Sequence, residues 1–180
     1  MSSLSVYHLS SPDIPNKVLT HFEDIASTLA EQGVRFDRWE ATAKVRPGAS
    51  HEDVINAYQA PSDSLMTEHG LRGVDVISLD RDHPQKDSIR ASFIEEQRQD
   101  QDEVMLVAAG SALLSVRIDD YVYAVLCEKN DLIMLPAGTR QWLDIGEQPF
   151  VVAIRLSSNQ PWVANFTGDD IAGRFPRMDD

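Results

Sequence analysis

The sequence predicts a mainly β protein with helices in its N-terminal half, and two patterns support this. After Asp102, short runs of Val, Leu and Ile are separated by turn-forming residues at intervals of about 8 to 12 positions, which is typical of a small antiparallel barrel. Before Asp102, apolar residues recur at helical spacing. A chain of 180 residues can bury one substantial core, so we expect a single domain. Its expected parts are a helical and extended part (1–100), a barrel core (101–160) and a C-terminal segment packed on the barrel (161–180).

Three helices are expected in the first half. The first covers 16–32, and its apolar residues share one face: Val18, Phe22, Ile25 and Leu29. Gly33 follows, where the end of a helix favours a left-handed residue. Ser50 is a plausible N-cap for a second helix that runs to Tyr58. The third covers 84–97.

Extended segments separate and follow these helices. We expect strands over 34–39 and 74–79, and a short helical segment that ends near Gly70. The second half has turn signals at Gly110, Asp119–Asp120, Asn130–Asp131, 136–138 and Gly146. We therefore expect the second half to consist of short antiparallel strands.

Composition excludes several classes of function. The net charge is −13, which disfavours binding to nucleic acid or to anionic membranes. The chain has no apolar run near the roughly 20 residues that span a bilayer, and its start does not resemble a signal peptide. Cys127 is the only cysteine, so disulfides and Cys-rich zinc sites are excluded. We expect a cytoplasmic protein with a small-molecule ligand and leave any protein partner undetermined.

Two groups of spaced residues carry the candidate chemistry. The first is Gln97, Gln99, Glu103 and Gly110, and the second is Pro136, Gly138 and Gln141. Their spacing is similar to that of cupin metal sites, in which His-x-His-x₃-Glu-x₆-Gly is followed by Pro-x-Gly-x₂-His. Residues two apart on a strand face the same side, so two such side chains can reach one ion. Every spacing matches, but glutamine stands at each histidine position.

The resemblance extends over nearly the whole chain to the bacterial acireductone dioxygenases of methionine salvage. The segments that carry it are 33–39 (GVRFDRW), 54–58 (VINAY), 75–79 (DVISL), 84–86 (PQK), 126–133 (LCEKNDLI), 135–137 (LPA) and 165–172 (NFTGDDIA). The resemblance implies a cupin-type antiparallel β-barrel, also called a double-stranded β-helix. It also implies an iron or nickel enzyme that splits an enediol with oxygen.

Site positions follow from the same resemblance. The family's three histidines and one glutamate would correspond to Gln97, Gln99, Gln141 and Glu103. An arginine thought to hold or activate the substrate is replaced by Met105. The aromatic pocket positions Phe93 and Trp162 look retained. With Met105 and Arg140, they form the expected substrate-binding set.

The donor types argue against a tight iron or nickel site. Imidazole suits both metals, whereas an amide oxygen is a weak, hard donor that better suits magnesium, calcium or manganese. All five histidines precede the barrel, the last being His83, so none can take a ligand position. We therefore expect no cofactor, with weak Fe²⁺ or Ni²⁺ binding at Gln97, Gln99, Glu103 and Gln141 as the alternative.

A carboxyl group in an apolar barrel without a cation should have a raised pKa, which makes Glu103 a candidate general acid or base. Gln97, Gln99 and Gln141 could polarise an enolate oxygen. Arg140 could bind an anionic ligand at the pocket mouth, or it could point outward into solvent. An equally open interpretation is that the three glutamines hydrogen-bond Glu103 and one another in a complete polar network with no chemical role. Cys127 is expected to be a buried structural thiol.

Three functional hypotheses follow. The main one is a metal-independent enzyme that acts on a small polar or enol-like metabolite, with Glu103 as general acid or base. The second is a non-catalytic, metabolite-binding pseudoenzyme. The third is a true acireductone dioxygenase of methionine salvage that uses atypical ligands.

Overall fold

The computed structural model describes residues 2–158 and 165–179, and its α-helices all lie in the first half of that range. They are α1 (Phe22–Ala30), α2 (His51–Ala57), α3 (Gln59–His69) and α4 (Lys86–Phe93), and a short 3₁₀ helix covers Ile171–Arg174. None of the helices described is long and apolar enough to cross a membrane.

Ten strands in the described residues form a curled antiparallel sheet. The strands are β1 (Ser3–His8), β2 (Lys17–Leu19), β3 (Arg35–Arg38), β4 (Gly73–Leu79), β5 (Gln97–Arg98), β6 (Glu103–Ile118), β7 (Tyr121–Glu128), β8 (Asp131–Leu135), β9 (Arg140–Asp144) and β10 (Val151–Ser157). Four of them come from the first half of the chain and pair with strands of the second half or with each other. The predicted antiparallel arrangement is confirmed.

The long strand β6 belongs to both faces of the barrel. Its first part pairs with β8 and β10, and its second part pairs with β7 and β9. One face therefore has the order β3-β8-β6-β10-β4, and the other has the order β2-β1-β7-β6-β9-β5. The two parts of β6 meet at Gly110, which has φ of 69°. A side chain there would overlap the carbonyl oxygen of Phe150, so the bend requires glycine.

Apolar side chains from both faces fill the barrel. Val107, Leu114 and Val125 are fully or almost fully buried there, and Ile25 and Leu29 of α1 pack against the same cluster. The spacing of Ile25 and Leu29 places both on one face of α1, which is why this helix docks on the sheet. The interior of the barrel is therefore a packed apolar core, and any ligand site inside the barrel is surrounded by it.

A second apolar cluster holds the other helices against the sheet. Val54 and Tyr58, at the C-terminal part of α2, pack with Val104 and Ile154 of β6 and β10. The Tyr58 hydroxyl donates a hydrogen bond of 2.7 Å to the carbonyl oxygen of Ala43. This cluster fixes the outer side of the two strands that border the pocket described below.

The C-terminal segment 165–179 packs on the barrel near its last strands. Phe175 packs edge-on against Tyr7, with ring centroids 5.8 Å apart, and lies in one buried cluster with Trp142. Asn165 accepts a 2.9 Å hydrogen bond from the backbone N–H of Arg98, and Phe166 forms an isolated bridge with Gln97. The segment thus supports the short strand β5 directly.

Local structure agrees with the sequence at some element ends and differs at others. Ser50 caps α2, its hydroxyl accepting a 3.1 Å hydrogen bond from the N–H of Asp53, as predicted. The first helix is shorter than the predicted 16–32, because residues 17–19 pair with β1 instead. The predicted helix over 84–97 ends at Phe93, because Gln97 is already in strand β5.

Candidate functional site

A pocket lies inside the barrel. Most of its wall is apolar. The lining side chains come from α4, β5, β6, β8, β9 and β10 and are Phe93, Gln97, Glu103, Met105, Leu114, Ile133, Leu135, Gln141, Trp142, Leu143 and Arg155. A mostly apolar pocket with a few converging polar groups is the usual form of a small-molecule site.

Strand register brings three of the predicted polar residues together. Gln97 on β5 lies directly opposite Gln141 on β9, and opposite residues in an antiparallel pair share one face. Glu103 is the first residue of β6 and is 6% exposed, as is Gln97. The neighbouring positions Arg98 and Arg140 therefore face the outside of the barrel.

Hydrogen bonds fix the orientation of these side chains. The amide nitrogen of Gln141 donates to a carboxylate oxygen of Glu103. The amide nitrogen of Gln97 donates to the carbonyl oxygen of Ser92 at 2.7 Å. Gln99 is buried but does not line the pocket, and its amide oxygen accepts from the side chain of Asn165 at 3.4 Å.

Burial perturbs the acidity of the site. The pKa of Glu103 is raised from 4.5 to about 7, chiefly because the apolar surroundings desolvate the charged form, while the charge of Arg155 acts in the opposite direction. A negative charge at Glu103 is therefore costly unless a positive group balances it. Such a site favours a cation or a proton at this carboxylate.

Arg155 is a pocket residue that sequence reasoning missed. It lies on β10 opposite Met105 of β6 and is 7% exposed. Its guanidinium forms an ion pair with Asp75 and stacks on the ring of Phe93, 4.8 Å from the ring centroid. The signal was present in the sequence, because Arg155 is the one charged residue in an otherwise apolar and small-residue strand.

The remaining predicted binding residues have different positions. Phe93 and Met105 line the pocket. Arg140 is half-buried on the outer face of β9 and lines a separate surface pocket with Arg98. Trp162 lies outside the described residues.

Cys127 is fully buried in the barrel core, and burial raises the pKa of its thiol strongly. A thiol with these properties is held in its protonated, unreactive form. Its expected structural role is consistent with this environment.

The resemblance implies an iron or nickel ion, so the donor atoms of Gln97, Gln99, Glu103 and Gln141 can be compared with what such an ion needs. No group of three His, Cys, Asp or Glu residues in the described part of the chain could hold a metal. These four side chains instead offer one carboxylate and three amides, and rotation of an amide exchanges its oxygen and nitrogen positions. Three of these side chains, Gln97, Glu103 and Gln141, line the pocket, and oxygen atoms from them could bind a divalent cation, with weaker attraction for iron and nickel than imidazoles provide.

Comparison with known proteins identifies the relatives of this chain. A family model described as the ARD/ARD′ family matches residues 6–164. An acireductone dioxygenase of Pseudomonas fluorescens (strain Pf0-1) is 69% identical over 181 residues, covering 100% of both chains. An acireductone dioxygenase of Pseudomonas syringae pv. tomato (strain DC3000) is 68% identical with the same coverage.

A solved structure shares the fold. It is an acireductone dioxygenase from Bacillus anthracis with a cadmium ion in its active centre, and it matches with a TM-score of 0.78 and 21% identity. The match covers 92% of this chain and 98% of that one. The predicted mainly β, cupin-type fold is thereby confirmed.

Two predictions are corrected by these findings. The main functional hypothesis, a metal-independent enzyme with Glu103 as general acid or base, is wrong, because relatives up to 69% identical along their full length are acireductone dioxygenases. The expectation of no cofactor is wrong for the same reason, since that family depends on a metal ion. The chain belongs to the acireductone dioxygenase (ARD/ARD′) family.

Proposed function

We propose that this chain is an acireductone dioxygenase that binds a small enediol in the barrel pocket and splits it with dioxygen, using a divalent metal ion. The observation that carries the proposal is the 69% identity, over the full length of both chains, to a relative of that name. The pocket combines an apolar wall with a few converging polar groups, as small-molecule sites usually do. A cytoplasmic location belongs to the proposal, supported by the single buried cysteine, which excludes an internal disulfide.

The metal would be held by Glu103, Gln97, Gln141 and Gln99. Glu103 supplies the negative charge, and its contact with Gln141 places two of the four side chains side by side. Gln97 anchors its amide nitrogen on Ser92, which leaves its amide oxygen free for a cation. Gln99 reaches the ion only if its side chain turns from Asn165 towards the pocket. When bound, a divalent ion supplies Lewis-acid polarisation of a substrate oxygen.

Arg155 is the group proposed to hold the anionic form of the substrate. Asp75 and the ring of Phe93 fix its guanidinium from two sides, so little side-chain entropy is lost when a ligand binds. Met105 lies opposite Arg155, at the position where the resemblance implies an arginine. Arg155 is accordingly the sole guanidinium among the described residues that line the pocket, and it carries the electrostatic part of substrate binding.

The apolar wall has a second role in the proposed reaction. Met105, Ile133 and Leu135 are each at most 6% exposed and line the pocket together with Glu103. They restrict water around the enediol and strengthen the attraction between Arg155 and an enediolate oxygen. Phe93 contributes an aromatic face at the same wall.

Oxygen uptake by metal-loaded protein tests the proposal. Untagged protein is stripped of metal, loaded separately with Fe²⁺, Ni²⁺, Mn²⁺ or Mg²⁺, and mixed with an acireductone in an oxygen electrode. Metal content is measured in parallel by plasma mass spectrometry. We expect metal-dependent oxygen uptake in the wild type and its loss in Glu103→Ala, because that variant removes the one anionic ligand.

A triple variant provides the matched comparison. Gln97→His, Gln99→His and Gln141→His together supply imidazole donors, and we expect the affinity for Fe²⁺ and Ni²⁺ to rise at least about a hundredfold, since these metals prefer nitrogen ligands. The proposal is refuted if the wild type takes up no oxygen with any of the four ions while the triple variant does. In that case the glutamine set does not support the reaction.

A further inference from the structure

We propose that the outer face of the barrel carries a binding site for a phosphate group, separate from the barrel pocket. The site is a row of three arginines, Arg98, Arg140 and Arg117, which we call the arginine row. Arg140 on β9 lies directly opposite Arg98 on β5 and, on its other side, directly opposite Arg117 on β6. Three guanidinium-bearing residues thus stand side by side across three adjacent strands, on one face.

The three arginines differ in their partners. Arg117 is held by two carboxylates, Glu96 at 3.4 Å and Asp169 at 3.0 Å. In the described part of the chain, the side chains of Arg98 and Arg140 have no hydrogen bond or ion pair. The Nε–H of Arg117 is buried and has no acceptor among the described residues. The row therefore has unused donors at all three positions.

Such an arrangement carries an energetic cost. Like charges directly opposite each other on neighbouring strands repel, and Arg140 faces a like charge on both sides. An anion placed between Arg98 and Arg140 removes this repulsion and fills their empty donor positions.

The surface around the row is concave and firmly held. The row lines a surface pocket together with Gln32, Asp119 and the turn 137–139. The carboxylate of Asp102 accepts a 2.8 Å hydrogen bond from the N–H of Ala137, and the N–H of Gly138 donates to the carbonyl oxygen of Gln99 at 2.7 Å. These bonds fix the turn that lies beneath Arg98, so the floor of the pocket needs no rearrangement when a ligand binds.

The charges select the class of ligand and its position. Two guanidinium forks side by side match the tetrahedral oxygens of a phosphate monoester, which they can bind bidentately. Asp119, which follows β6, is a carboxylate that lines the pocket, and Glu96 and Asp169 form ion pairs with Arg117. All three are on the β6 side or bound to Arg117, so the phosphate group is expected between Arg98 and Arg140. The site does not depend on the reaction in the barrel pocket.

Nuclear magnetic resonance of the arginine side chains tests the proposal. Inorganic phosphate is titrated into the full chain, and sodium chloride of equal ionic strength is titrated into a second sample. We expect saturable shifts of the Nε–H resonances of Arg98 and Arg140 with phosphate and none with chloride. Arg98→Gln and Arg140→Gln should each weaken phosphate binding about tenfold or more, since each removes a charge-assisted pair of hydrogen bonds.

A control separates a specific site from the general effect of charge. Arg81→Gln removes the same charge from an exposed position outside the row and should change the affinity by less than about twofold. Circular dichroism checks that each variant is folded. The proposal is overturned if the phosphate shifts do not saturate, if chloride reproduces them, or if Arg81→Gln weakens binding as much as the two row variants do.

Discussion

Replacement of Glu103 by glutamine removes the one carboxylate among the described residues that line the barrel pocket and keeps the size of the side chain. Burial raises the pKa of Glu103 from 4.5 to about 7. In the metal-free folded protein this corresponds to a preference of about 3 kcal/mol for the protonated carboxyl group. The variant should therefore change stability by an amount that depends on pH.

The sign follows from proton binding in the two states. Below pH 4.5 the carboxyl group is protonated in both the folded and the unfolded chain, and it carries no penalty. As pH rises from 4.5 to about 7, the unfolded chain releases the proton first, so the stability of the wild type falls. Above about pH 7 the wild type bears the full penalty, and Glu103→Gln does not. A weaker hydrogen bond to Gln141 offsets about 1 kcal/mol of the gain.

Urea denaturation of metal-free protein measures this difference. We expect the gain in unfolding free energy from Glu103→Gln to be about 2 kcal/mol larger at pH 8 than at pH 5. Glu95→Gln, which changes an exposed carboxylate two positions before Gln97, serves as the control and should show no such pH dependence. Equal effects of Glu103→Gln at both pH values would refute the reasoning. Adding Mn²⁺ should stabilise the wild type and leave Glu103→Gln unchanged, because the variant lacks the anionic ligand.

Three further predictions concern the scaffold. Gly110→Ala should destabilise the protein by at least about 3 kcal/mol in urea denaturation, because the alanine side chain would overlap Phe150 at a left-handed backbone position. A loss below about 1 kcal/mol would contradict the close approach of the two strands. Cys127 should not react with a thiol reagent such as Ellman's reagent in the native protein, and it should react fully in urea. Rapid labelling of the native protein would show that the thiol is not buried. Arg90→Met should lower the free energy of unfolding by about 2 kcal/mol, because it removes hydrogen bonds of 2.8 and 3.2 Å from the buried carboxylate of Asp144. An unchanged urea midpoint would show that the pair contributes nothing to stability.

Local sequence signals predicted the elements that depend on local interactions. The N-cap at Ser50 and the strand at 74–79 both appear where the pattern placed them, because capping and period-two burial depend on neighbouring residues. The sequence patterns do not predict strand β1, and they predict a first helix that is too long. Both errors come from one long-range pairing. Residues 17–19 become a strand because β1 is available beside them, and β1 in turn pairs with β7.

The spacing of the candidate site residues was predictable from the sequence, and the charged groups of the site were less so. Motif spacing predicted that Gln97, Glu103 and Gln141 lie together, and all three line one pocket, because strand alternation sets the face that each side chain takes. Arg155 was missed because its pairing with Met105 joins two strands about fifty residues apart in the chain. Arg140 was a candidate either for the pocket mouth or for an outward, solvated position, and the same alternation that turns Gln141 inward turns Arg140 to the opposite face.

The attachment of the C-terminal segment limits how this protein can be shortened or fused. The hydroxyl of Thr167 donates a 2.7 Å hydrogen bond to the buried carboxylate of Glu96, next to Gln97, and Asp179 accepts a 2.7 Å bond from the N–H of Glu147. A chain cut after Ser158 would keep every described side chain that lines the pocket and still lose one of the two neighbours that β5 has among the described residues. Truncation or a bulky tag at this end should therefore disturb ligand binding through the loss of support for β5.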